Sequence, residues 1–253
     1  MDYSPRHGRI LSLLAEKGTI GVNALAALLD VSVETVRRDV KALAGRGEIV
    51  RMHGSIGLPS VVSEAPFERR MRENREAKEA IAALAAASIR DGESVMLDTG
   101  TTTSFLARAL LDHRRLTVVT NSSDIARTLA TVNGNKVYMA GGELRSDSGA
   151  ALGFSAIEFV SRFSVDHAII SAGAINVASG VMDYDLEEAQ FGQTVLARGR
   201  RRVVVTDSSK FGQKGLVRVC ALADFDELIA NRMPPAELAQ ALHAADVSLR
   251  ICG

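Results

Sequence analysis

One eleven-residue run, 31–41, constrains this chain more than any other: Val31-Ser32-Val33-Glu34-Thr35-Val36-Arg37-Arg38-Asp39-Val40-Lys41. Ser32 suits a helix N-cap, since its hydroxyl can accept from an unpaired N–H of the first turn. Glu34 puts a carboxylate in that turn, where the helix dipole favours it. Val36, Val40 and Leu43 recur at helical spacing and predict one buried stripe. At about 100° per residue, Glu34, Arg38 and Lys41 point away from that stripe, with Arg37 on its flank. The pattern predicts a helix with an apolar back and a basic front.

On an isolated helix two arginines and a lysine can be no more than a solvated face. This helix has company. Leu25-Ala26-Ala27-Leu28-Leu29 precedes it, with Asp30-Val31 as a short turn, and 48–54 follows as an alternating strand ending in Gly54. Helix, turn, basic helix and strand make a winged helix-turn-helix pattern, which lays its second helix in a DNA major groove. The candidate DNA contacts are Thr35, Arg37, Arg38 and Lys41 on the helix and Arg51 and His53 on the wing. His53 reads equally well as a strand-end residue with its nitrogens in water.

With 253 residues the chain has room for a small and a medium domain, and 47% hydrophobic residues suffice for a sizeable core. Thirty basic and thirty acidic residues cancel, which argues against nonspecific coating of nucleic acid. Residues 1–57 carry eight Lys or Arg against six Asp or Glu, two positive by subtraction. DNA affinity must therefore come from local placement and several subunits together, so a homo-oligomer is expected. No secretory leader, membrane span, metal-ligand spacing or disulfide framework is read from the sequence; Cys220 reads as a small core residue. The expectation is a cytoplasmic protein with no metal and no cofactor.

Ser4-Pro5 opens the first helix, which Gly18 ends, and 19–22 links it to the second helix. Residues 54–66, rich in Pro, Gly and Ser, read as a linker. The charged stretch 67–75 reads as a solvated connector. From Ser94 onward apolar strands at 95–97, 116–119, 137–139, 168–170, 202–205 and 227–229 alternate with helices, and 247–251 reads as a last strand. That pattern predicts a Rossmann-like, mostly parallel α/β domain covered on both faces. The expected division is 1–57 winged helix-turn-helix, 58–75 linker and 76–253 α/β domain.

In an open parallel sheet, ligands bind beyond the carboxyl ends of the strands. There the chain places Asp98-Thr99-Gly100-Thr101-Thr102-Thr103, Thr120-Asn121-Ser122, Gly141-Gly142, Gly173, and Asp207 with Lys210. Glycine lets a backbone approach a ligand, and hydroxyls with free N–H groups at a helix start can hold an anion. The loop is neither a Walker A nor a dinucleotide fingerprint. Together these ends predict a small, anionic, hydroxyl-rich ligand.

The segment from Arg9 to Gly54, with TVRRDV and RMHG, resembles the N-terminal domain of DeoR-type bacterial transcription regulators. DTGTTT, TNSSDIA, GGELR with Gly153, and DSSKF resemble their sensor domain, and the resemblance runs from Arg9 to Asn231. It departs at Ser55, where the family usually has a second glycine, and at Ala230-Asn231, where it often has Thr-Asp. The resemblance implies a sensor fold similar to sugar-phosphate isomerases such as ribose-5-phosphate isomerase. It implies a phosphorylated sugar as effector, with Thr99 to Thr103 and Asn121 at the phosphate end and Asp98, Asp207 and Lys210 at the sugar end. It also implies operator DNA as partner and repression relieved by the ligand. The alternative is an isomerase-like enzyme with a DNA-binding appendage, for which Asp98, Asp207, Glu143 and Glu187 are the acidic candidates. No residue is assigned as catalytic, because strand-end aspartates are commonly caps or acceptors and a fold does not fix a function.

Overall fold

The computed structural model describes residues 5–17, 19–52, 55–58 and 64–252. It divides into two compact units, Met1–Arg69 and Arg70–Gly253.

The first unit runs α1 (Pro5–Lys17), β1 (Thr19–Gly21), α2 (Val22–Leu29), α3 (Val33–Gly45), β2 (Val50–Met52) and β3 (Ser55–Gly57). Ile10, Leu14, Leu25, Val36, Val40 and Leu43 form its core, so the valine stripe of α3 is the buried face. Ser32 caps α3, its hydroxyl accepting from the Thr35 N–H at 3.2 Å. Asp30 makes the turn before it in a left-handed conformation, φ 52°, which Asp tolerates better than most residues. The expected link 19–22 is instead partly a strand: β1 pairs with β3, and β3 with β2, in an antiparallel three-stranded wing.

Helix α3 ends at a backbone turn in which Gly47 and Glu48 donate to the carbonyls of Ala44 and Leu43. Gly47 has φ +68°, and a Cβ there would lie 2.9 Å from Pro66 Cδ. The Arg69 guanidinium donates to the Gly47 carbonyl at 2.6 Å. Pro66 and Arg69 therefore belong with the first unit, and the division at 69/70 falls within the stretch 58–75 expected as the linker. Within that stretch the solvated-connector reading of 67–75 is corrected: Phe67–Arg72 is a helix, α4, and Phe67 is buried. One aromatic inside a run of charges carries no periodicity that would have revealed it.

The second unit continues with α5 (Arg75–Ala86), β4 (Ser94–Leu97), α6 (Thr101–Ala109), β5 (Thr117–Thr120), α7 (Ser123–Leu129), β6 (Lys136–Met139), α8 (Phe154–Val160) and β7 (Val165–Ser171). After β8 (Ala174–Asn176) and β9 (Gly180–Asp183) come α9 (Leu186–Leu196), β10 (Gly199–Thr206), β11 (Val217–Cys220), β12 (Glu227–Ala230), α10 (Ala236–Ala244) and β13 (Ser248–Ile251). Seven strands form one parallel sheet in the order β13-β12-β10-β7-β4-β5-β6. Successive residues of each strand feed opposite cores: Met96, Ile170 and Val204 on one face, Val95, Leu97, Ile169 and Val205 on the other. The three short strands β11-β9-β8 form a separate antiparallel sheet, which the sequence pattern did not predict. Among the described residues no helix is long and apolar enough to cross a membrane.

Candidate functional site

Two surfaces qualify, one in each unit. On α3, Arg37, Arg38 and Lys41 are exposed and Thr35 is half-buried. Arg37 lies 3.7 Å from Glu34, a pair so solvated that it holds the guanidinium only weakly. Arg51 is exposed on β2, and His53 lies outside the described residues. Asp39, which shares the run with these cations, does a different job. Its buried carboxylate accepts from Arg6 Nε at 2.5 Å and Nη2 at 3.1 Å, with His7 Nε2 at 3.3 Å. The Arg6 hydrogen bond holds the Asp39 carboxyl below its ordinary range, and the pairing ties α3 to α1. Its position beside the valine stripe was the only sign in the sequence.

In the second unit, strands β4, β5 and β6 extend the sheet one way and β7, β10, β12 and β13 the other. The order reverses between β4 and β7, and a crevice opens beyond the carboxyl ends at such a switch point. Asp98 leaves β4 there and Ser171 ends β7. Asp98 Oδ2 accepts from the Ser171 N–H at 2.9 Å and its hydroxyl at 3.1 Å, whereas Oδ1 is buried with no hydrogen-bond partner among the described residues. Burial pushes the Asp98 carboxyl up to about 7 against the pull of the Ser171 N–H, and Asp183 pushes it the same way. Gly100 makes this approach possible, because a Cβ there would lie 1.9 Å from Ser171 Oγ.

Thr101, Thr102 and Thr103 are buried in the first turn of α6, whose leading N–H groups have no partner within the helix. The Thr103 hydroxyl is committed to the Asp98 and Gly100 carbonyls at 3.1 and 3.0 Å. Thr99 donates to Asn121 Oδ1 at 2.8 Å, and Asn121 in turn donates to the Ala151 carbonyl at 3.0 Å. Thr120 receives the Ser122 N–H, and Ser122 caps α7. Asp98, Thr99, Asn121 and Ser171 line one pocket with Asp183, Glu188, Leu152 and Phe191. Arg145 braces its rim from behind, bonded to Asp185, Glu187 and Glu188 at 2.8–3.1 Å.

Not every predicted residue joins that pocket. Asp207 lines a different cleft with Asn74, Ser209, Asn231 and Arg232, and Lys210 lines neither. Gly141 and Gly142 are exposed in the loop after β6, while Gly173 is buried, with Met182 O 3.2 Å from where its Cβ would be. Sequence reasoning missed Lys78. It is buried in α5, donates to the Arg70 and Glu73 carbonyls, and is pushed down to about 8 by burial, with the charge of Asp207 the largest effect opposing that fall. A lysine in an alanine-rich helix gives no sequence sign of burial. Among the described residues no group of three or more His, Cys, Asp or Glu could hold a metal ion.

A winged helix-turn-helix with an exposed basic helix, followed by a parallel α/β domain with a polar pocket at its switch point, has the architecture of a DNA-binding regulator. Family models agree: the DeoR-like helix-turn-helix domain matches residues 6–61 and the DeoR C terminal sensor domain residues 73–232. The chain belongs to the DeoR family of transcriptional regulators. It is 37% identical to the HTH-type transcriptional repressor CsqR of Escherichia coli (strain K12), over 97% of this chain and 94% of that one. It is 32% identical to the glycerol-3-phosphate regulon repressor of the same organism, over 100% of both chains. The glycerol-3-phosphate regulon repressor of Haemophilus influenzae is 35% identical, over 92% of this chain and 91% of that one. Among solved structures, ribose 5 phosphate isomerase A from Neisseria gonorrhoeae aligns at TM-score 0.40 and 19% identity, covering 54% of this chain and 53% of that one. That likeness is too low to carry an argument.

Proposed function

We propose that the protein is a repressor of a carbohydrate-utilisation operon, released from its operator when a phosphorylated sugar binds the second unit. Helix α3 enters the major groove, with Arg37, Arg38 and Lys41 as its cations and Thr35 near its start; Arg51 and His53 add contacts from the wing. The effector's anionic end goes to the Thr99–Thr103 backbone at the start of α6, braced by Asn121. Its hydroxyls go to Asp98 at the end of β4, with Asp207 and Lys210 two strands away beyond the end of β10. The protein works in the cytoplasm as a homo-oligomer and turns over no substrate. The observation that carries this reading is Asp98 at the switch point, a buried acceptor in a chain whose other unit exposes a basic helix.

The repressor reading is supported by the relatives, which bear that name over nearly the full length of this chain. Relief by the ligand requires that it bind the DNA-bound and free states with different affinity. The test is thermal unfolding against a panel of sugar phosphates, since a ligand that prefers the folded state raises the midpoint. A hit that also releases a DNA duplex selected by the protein supports the reading. A hit that is isomerised instead would favour an enzyme, and no shift at saturating concentrations would remove the effector site.

A further inference from the structure

We infer that the surface carrying Leu144, Phe154, Leu186 and Leu216 pairs with the same surface of a second copy of this chain. The inference rests on the homo-oligomer reading above and names the face that such an assembly uses. Among the described residues nine large hydrophobic side chains are exposed, and these four include the two most exposed, Phe154 at 81% and Leu216 at 76%. Scattered exposed leucines are ordinary, whereas a cluster marks an interaction site. Local bonds gather the cluster. Arg145, next to Leu144, bonds to Asp185 and Glu187 at 2.8 and 3.0 Å, the two residues that flank Leu186. Gly153, next to Phe154, would place a Cβ 3.6 Å from Glu187 Oε1. The Leu216 N–H donates to the Asp183 carbonyl at 2.8 Å, just before the start of α9. Phe154 and Leu186 open α8 and α9, and Leu216 precedes β11, positions that require no apolar side chain for the fold of one copy.

Charge selects the occupant. Leu186 stands between the carboxylates of Asp185 and Glu187, which share the single Arg145 guanidinium. Leu216 stands between Lys214 and Arg218, both exposed and in no ion pair among the described residues. One apolar knob thus has an acidic setting and the other a basic one. A two-fold axis between copies sets the Leu186 side of each against the Leu216 side of the other, so apolar meets apolar and acid meets base, twice. Because both halves belong to one surface, the contact closes as a pair and does not propagate. Phe154 and the leucines supply the desolvated centre, and the flanking charges fix the register. A pair carries two α3 helices, which gives the second half-site contact that one nearly neutral unit lacks alone.

The test is analytical ultracentrifugation of the full-length protein at micromolar concentration, with far-UV circular dichroism to check each variant's fold. The native chain is expected to sediment as an even-numbered assembly, and Phe154→Asp to halve its mass. Glu187→Lys should also halve the mass, as should Lys214→Glu combined with Arg218→Glu, because each sets like charges against one another. An equal mixture of these two charge variants should regain the native mass, since each acid then faces a base in the mixed pair. All these substitutions are at exposed positions, and recovery on mixing is a result that a misfolded variant could not give. A native assembly that Phe154→Asp leaves intact overturns the inference and leaves the homo-oligomer reading standing. Charge variants that come apart and do not recover on mixing overturn it as well. A native protein that sediments as a single chain removes the homo-oligomer reading and this inference with it.

Discussion

Asn74 donates from Nδ2 to Oδ1 of Asp207 at 3.0 Å, joining the turn between α4 and α5 to the end of β10. The same amide reaches Ser209 Oγ at 3.3 Å. Asn74 holds a left-handed backbone, φ 51°, which costs most side chains about 1–2 kcal/mol. Asn74→Ala should therefore destabilise the second unit by about 1–3 kcal/mol, combining backbone strain with the absence of a hydrogen bond worth about 1 kcal/mol. Asn74→Gly should cost less, because glycine enters that conformation freely. Urea midpoints decide this; equal losses for the two variants would mean that the backbone carries no strain.

Gly100→Ala should be severe, and the reason is contact rather than conformation. Its φ of −147° suits any residue, but the added methyl would collide with Ser171 Cβ at 2.7 Å and Oγ at 1.9 Å. A loss of about 1–3 kcal/mol is expected, as for overpacked cores, and Ser171→Gly in the same chain should recover part of it. Gly141→Ala, with no described atom within 4 Å of its Cβ, should change stability by less than about 0.5 kcal/mol. Comparable losses at 100 and 141 would rule out the close approach.

The pH dependence of stability follows from Asp98, whose folded value of about 7 exceeds the ordinary 3.8. Below pH 3.8 both folded and unfolded chains hold the proton. Between 3.8 and 7 the unfolded chain ionises while the folded one resists, so stability falls as pH rises and levels off above 7. Each unit of difference is worth about 1.4 kcal/mol. Asp98→Asn removes this loss, less the cost of an unpaired amide, so its stability relative to the native chain should improve from pH 4.5 to 8. A gap that does not change with pH would mean that Asp98 ionises normally.

DNA binding should respond to Arg38 and Lys41 through salt as well as affinity. Removing one cation that neutralises a phosphate lowers the slope of log affinity against log salt by about 0.9. Arg38→Ala is expected to weaken binding to a selected duplex while the second unit keeps its unfolding midpoint. Unchanged affinity and slope would remove α3 from the interface.

Period and capping made most of the fold legible. Ser32, Val36, Val40 and Leu43 outlined α3, and the apolar runs at 95–97 and 202–205 outlined β4 and β10. The antiparallel strands β8, β9 and β11 escaped because stretches of three or four residues, such as Ala174-Ile175-Asn176, are too short for a period to register. Helix α9 escaped too, although Asp185 with Glu187 and Glu188 is a visible start signal: Asp185 accepts from both of their N–H groups. At the site, Asp98, Thr99 and Asn121 were legible because strand ends in parallel sheets converge. Ser171 as the partner of Asp98, and Asp207 in a separate cleft, depend on which strands are neighbours, and the linear order does not state that.

The strand order has one more consequence. Asp98 and Asn121 come from the first half of the chain and Ser171, Asp183 and Glu188 from later elements, brought together across the β4–β7 pairing at the sheet's centre. A partly synthesised or partly unfolded molecule therefore has no pocket at all. A ligand of this pocket would be recognised only by a finished sheet, so the effector we propose should also prolong the protein's life in the cell, by drawing molecules away from the unfolded forms that proteases consume.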